Sequence, residues 1–186
     1  MNISETVRSF LLLGLLLLTP VASFLNPAPA PGVSDPAVNT PAPPSNPASY
    51  DIWVSYSEDS QFVVPRRVQE NIEAGAAKWR SVITGSLPDF NSGGITETPS
   101  NSRFGSCPIP NGGIVDDLFI CASAFYDSSS NALAAAGVVY AREAGAGGLP
   151  SIGVMTYNRF FLDQQTTADI TNVLTHEMGH AVCISI

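Results

Sequence analysis

The chain has 186 residues, 45% hydrophobic and 13% charged, which allows a sizeable core in one domain or one and a part. Its formal net charge is −8 and Lys78 is its single lysine, a balance that argues against nucleic acid or an anionic membrane surface as a partner.

The N-terminus pairs a short polar region ending at Arg8 with an apolar run from Phe10 to Leu18, followed by the small-residue pattern Val21-Ala22-Ser23. That run is about half of what a membrane-spanning helix requires, so residues 1–23 read as a cleaved secretory signal and no stable membrane insertion is expected. An uncleaved signal anchor is the alternative, because Glu5 weakens the positive charge of the region before the run. Residues 24–49 are dense in proline and nearly uncharged. Such a stretch lacks backbone donors and apolar area for a core, and reads as a disordered linker or short pro-region.

Foldable sequence begins at Tyr50. Ile52, Val54 and Tyr56 alternate on one face of a first strand. Pro65 suits the start of a helix whose apolar residues Val68, Ile72, Ala76, Trp79 and Ile83 recur at helical spacing, with Gly85 and Pro88 to end it. Residues 89–114 are rich in Gly, Ser, Asn and Pro and read as a long surface loop with at most one short strand.

The run from Asp117 to Ala124 is nearly continuously apolar, as in a strand buried on both faces. The pair Asp116 and Asp117 before it is expected to solvate the start of that strand, with calcium binding or acid–base work as the functional alternative. Leu133 to Tyr140 is alanine-rich, yet Gly137 and the pair Val138-Val139 favour an edge strand in its second half, where an extended peptide can add through main-chain hydrogen bonds. The glycines from Gly145 to Gly148 lack a following Gly-Lys-Ser/Thr and read as a turn, not a phosphate loop. Ile152 to Asn158 is a further strand. Cys107 and Cys121 can close a disulfide in an oxidising compartment, which leaves Cys183 over.

The last helix opens with Asp169 or Thr167 as cap and carries Ile170, Val173, Leu174, Met178 and Ala181 as its apolar stripe. Along it runs His176-Glu177-Met178-Gly179-His180, which takes both histidines of the chain. Residues four apart lie one above the other on a helix, so two imidazoles can aim at one point with Glu177 beside them. This is HExxH, the pattern in which two histidines hold zinc and the glutamate handles its water. The elements together predict an α+β fold, a mixed twisted sheet of about five strands with a backing helix and an active-site helix.

In this order of elements, and in Lys78 to Gly85, Val115 to Leu118, Gly148 to Met155 and Leu174 to Ala181, the chain resembles the upper subdomain of the metzincin zinc endopeptidases. It is most similar to the secreted leishmanolysin-like proteins, over residues 50–182. The resemblance implies zinc as cofactor, His176 and His180 as its ligands and Glu177 as general base. It also implies that the edge strand, here Ala134, Ala135, Ala136 and Gly137, aligns a protein or peptide substrate. The activity implied is secreted peptide-bond hydrolysis through a zinc-activated water, without a covalent intermediate.

The metzincin pattern continues as HExxHxxGxxH. Here Cys183 stands at the glycine position and Ile186 at the third histidine. The expectation is therefore a chain truncated after HExxH, with the lower subdomain missing; Asp163 or Cys183 as a substitute third ligand is the alternative. The competing expectations are a catalytically inactive secreted peptide-binding module and a non-functional fragment.

Overall fold

The computed structural model describes residues 49–143 and 148–182. The expected signal, nearly all of the proline-rich segment, most of the glycine turn, Cys183 and Ile186 lie outside the described residues. Within them the fold is α+β, with a mixed four-stranded sheet. Strands β1 (Ile52–Tyr56), β4 (Leu118–Phe125), β6 (Pro150–Asn158) and β5 (Ala134–Ala141) lie side by side in that order. β1, β4 and β6 run parallel, and β5 pairs antiparallel with β6 along the edge. The main sheet thus has four strands and not about five. Two further strands, β2 (Phe90–Asn91) and β3 (Ile114–Val115), form a separate antiparallel ribbon.

Alternation along the strands sorts the core into two layers. Ile52, Val54, Leu118, Ile120, Met155 and Tyr157 face one way. There they meet Val68, Ile72 and Ala76 of α1 (Arg66–Val82) and Ile170, Leu174, Met178 and Ala181 of α2 (Thr167–Ala181). Phe119, Cys121 and Ile152 face the other way, against Cys107, Ile109 and Val115. Both faces of the central strands are therefore covered, which is why β4 is buried along its whole length.

Residues 89–114 hold no more than one complete strand, as expected, but they are not all surface: Cys107 and Ile109 are buried against the sheet. The segment holds one short strand, β2, and the first residue of β3: Phe90 pairs with Val115, Asn91 pairs with Ile114, and Glu97 bridges Pro108. A disulfide joins Cys107 to Cys121 of β4 and fixes the layer to the sheet. Gly105 sits so close to Ser57 and Phe62 that a Cβ there would lie 2.3 Å from Ser57 Oγ, so the backbone approaches where no side chain fits.

The acidic pair before β4 also differs from expectation. Asp117 is 1% exposed and does not solvate the strand. Its carboxylate accepts from the backbone N–H of Asp51 at 2.7 Å and of Leu87, joining the start of β1 to the end of the α1 loop. The buried Arg142 guanidinium donates to the carbonyls of Pro88, Asp116, Asp117 and Pro150. One cation thus satisfies four backbone acceptors, those of Pro150 and Asp117 buried, where β4, β6 and the loop before β2 converge. Burial and then the carboxylates of Asp117, Asp89 and Asp51 push the Asp116 carboxyl above its usual range.

Candidate metal centre

Helix α2 is set in place at its N-terminus and along one side. Thr166, not Asp169 or Thr167, is its N-cap: the Thr166 hydroxyl accepts from Asp169 N–H, and the Asp169 carboxylate accepts in return from Thr166 N–H at 3.1 Å. The Thr166 hydroxyl's bond to the Asp169 carboxylate at 2.6 Å, and then the backbone bond, hold the Asp169 carboxyl below its ordinary value. Against α1 the contact is made of small and polar groups. The Thr171 hydroxyl donates to Asn71 Oδ1, Gly75 abuts Thr175, and Trp79 Nε1 donates to the Thr175 carbonyl at 2.9 Å. Residues 71, 75 and 79 form one row along α1, so a single ridge tracks the helix up to the residue before His176.

Ile170, Leu174 and Met178 are fully buried at four-residue spacing, and this sets the rotation of α2 about its axis. His176, Glu177 and His180 consequently come out on the side away from the core, with His176 exposed and the other two half-buried. Their possible ligand atoms all lie within 4.8 Å of one another. The two imidazole rings are 4.9 Å apart between centroids and almost perpendicular at 87°. Two imidazoles and a carboxylate of this kind are donors that suit zinc.

His176 and Glu177 also line a groove of about 510 Å³. One wall is α2, through Asn172, Val173, His176 and Glu177; the other is Asn131, Ala132, Leu133 and Ala134, where the chain runs into β5. Of the four expected edge-strand residues, Ala134 lines this groove. Ala136 packs against the helical core, and Ala135 and Gly137 alternate to the opposite face of β5. The strand that the residue pattern favours for the second half of the alanine run, and that the resemblance implies from Ala134, spans Ala134–Ala141. Asp163, considered as a third ligand, is exposed in the short 3₁₀ helix Arg159–Gln164 and is not part of the histidine cluster.

Two features of the groove were not anticipated from sequence. Val173, assigned to the buried stripe, faces the groove instead. Asn172 stands one helical turn before His176 on the same row, a relation that the four-residue spacing of 172, 176 and 180 contains. The remaining wall, Asn131 to Leu133, has no local pattern that marks it. No protein-family model matches this chain, and no curated protein matches it. Among the described residues no helix is long and apolar enough to cross a membrane.

Proposed function

We propose that the chain is a secreted zinc-dependent endopeptidase of the metzincin kind, with His176 and His180 as zinc ligands and Glu177 as general base. The observation that carries this reading is the placement of HExxH on one wall of a groove whose other wall leads into a sheet-edge strand. Secretion rests on the N-terminal apolar run and on the Cys107–Cys121 disulfide, a bond of oxidising compartments.

The donor set fits the ion. Both histidines of the chain are used, and any third protein ligand lies outside the described cluster, where the chain offers Cys183. When bound, zinc supplies Lewis acidity to a water and to a carbonyl oxygen. β5 pairs with β6 on one side, so its other edge can hold an extended peptide by main-chain hydrogen bonds along Ala134 and the residues after it. Asn172 and Val173 hold the peptide from the helix side. The Glu177 carboxylate removes a proton from water as the water oxygen bonds to the peptide carbonyl carbon. It returns that proton to the amide nitrogen as the C–N bond breaks, leaving a free amine and a carboxylic acid, which releases its remaining proton to solvent at neutral pH.

The test is metal content and hydrolysis on the purified chain. About one equivalent of zinc is expected at neutral pH, lost in His176→Ala. Glu177→Gln is expected to keep the zinc and to lower peptide hydrolysis by roughly 10²- to 10⁴-fold. A preparation that holds no zinc overturns the reading. Peptide binding that survives both chelator and Glu177→Gln, with no hydrolysis in the wild type, supports instead an inactive peptide-binding module, the reading favoured by the missing third ligand among the described residues.

A further inference from the structure

We infer that Asn158 is a positioning residue that sets the far wall of the groove against α2. Asn158 closes β6 and is 0% exposed. Its Oδ1 accepts from Asp127 N–H at 3.0 Å and from Phe160 N–H at 3.2 Å. Its Nδ2 donates to the Asp127 carbonyl at 2.8 Å and to the Ala132 carbonyl at 3.2 Å. A carboxamide has two donors and two lone pairs, so one side chain has used its whole capacity on backbone groups. The Asn158 main-chain N–H adds a bond to the Leu133 carbonyl at 2.8 Å.

These bonds converge on one segment. The chain leaves β4 at Phe125, turns through residues 126–133 and enters β5 at Ala134. Asn158 grips the turn at Asp127 and again at Ala132 and Leu133, the two ends of the excursion, and Ala132 and Leu133 line the groove. Besides the edge-to-face contact of Tyr126 with Phe160, the turn adds small tethers of its own: Ser129 donates to Asp127 Oδ1, and Ser130 Oγ accepts from Ala132 N–H at 3.1 Å. No bond of Asn158 goes to α2, so its effect on the site is confined to the wall opposite the histidines. Without it the wall is free to wander, and a peptide has to order the segment on binding. That cost falls equally on ground state and transition state, and therefore on KM and not on kcat.

This inference rests on the reading of the groove as a peptide site, so the experiment has two independent arms. Asn158→Asp keeps the shape but replaces the Nδ2 donor by an acceptor, and Ser130→Ala is a milder variant that removes the second tether of Ala132. Amide hydrogen exchange is expected to quicken at least tenfold over residues 127–133 in Asn158→Asp and severalfold in Ser130→Ala, with α2 unchanged. On the same proteins KM for a peptide substrate is expected to rise about tenfold in Asn158→Asp and two- to threefold in Ser130→Ala, with kcat and zinc affinity within twofold of wild type. Exchange over 127–133 that matches wild type in the folded variants overturns the inference, as does a fall in kcat or zinc affinity as large as the rise in KM. If Asn158→Asp does not fold, Ser130→Ala decides between the same outcomes. A wild-type chain that cleaves no peptide defeats the proposed function, while the exchange arm still decides whether Asn158 holds the wall.

Discussion

Tyr50 shows how a single side chain just before β1 reports on the buried polar cluster beneath it. It is 6% exposed, and burial, reinforced by the Asp117 carboxylate and opposed by Arg142, pushes its phenol from 10.0 up to about 12. Tyr56 moves the same way, through burial and then through Glu73, whose carboxylate accepts from the Tyr56 hydroxyl at 2.9 Å. A folded-state pKa above the unfolded one means the unfolded chain gives up its proton first. The stabilisation is therefore complete below pH 10 and is lost as the pH rises towards 12. For Tyr50 the loss is about 2 kcal/mol. Urea unfolding at pH 9 and at pH 11.5 should show this decline, and Tyr50→Phe should make it shallower. An unchanged slope in Tyr50→Phe would mean that Tyr50 does not contribute to it. None of this was legible in the sequence, where Asp117 reads as a solvated residue, because the partners that bury it lie 66 and 30 positions away.

At the scale of elements, the paired helices decide where the histidines point. Gly75 lets α1 approach α2 so closely that a Cβ there would lie 3.2 Å from Thr175 Oγ1 and 3.4 Å from Thr175 Cα, beside His176. Gly75→Leu should therefore destabilise the fold by about 1–3 kcal/mol, through overpacking, and weaken zinc binding by moving α2. Gly75→Ser is the graded comparison, and calorimetry with zinc titration measures both effects. Loss of stability with zinc affinity intact would show that the site tolerates a displaced helix. The helices themselves were readable, since four-residue repeats of Ile, Leu and Met mark a buried face whatever lies opposite. Val173 was misread because it lies about 100° around the helix from Leu174, at the margin of the stripe, and only the position of Asn131 to Ala134 decides that this margin borders a groove. The cap was ambiguous for a similar reason: Thr166, Thr167 and Asp169 can all accept an N–H, and the reciprocal pair of Thr166 and Asp169 wins because it satisfies two donors at once.

For the molecule as a whole, the sheet separates two layers that do different work. Helices α1 and α2 cover one face and carry the histidines, while residues 89–115 cover the other with few apolar side chains, chiefly Cys107, Ile109 and Val115. Apart from the Cys107–Cys121 pair, that second layer was illegible in the sequence because it has no period. Its apolar residues are irregularly spaced and its shape comes from turns, from a Thr98 hydroxyl accepting the Cys107 N–H at 3.0 Å, and from one covalent bond. A layer so thin in apolar area should lean on that bond. The disulfide closes a loop with a sequence separation of 14, and removing it should lower the unfolding free energy by about 3 kcal/mol. The double variant Cys107→Ala/Cys121→Ala tests this without a reductant that would also bind metal. Its urea midpoint should fall, and zinc affinity measured well below that midpoint should stay within twofold of wild type, because the disulfide and α2 lie on opposite faces of β4. Zinc affinity falling together with stability would mean that the two faces are coupled through the strand, and that the loop layer belongs to the site as much as to the scaffold.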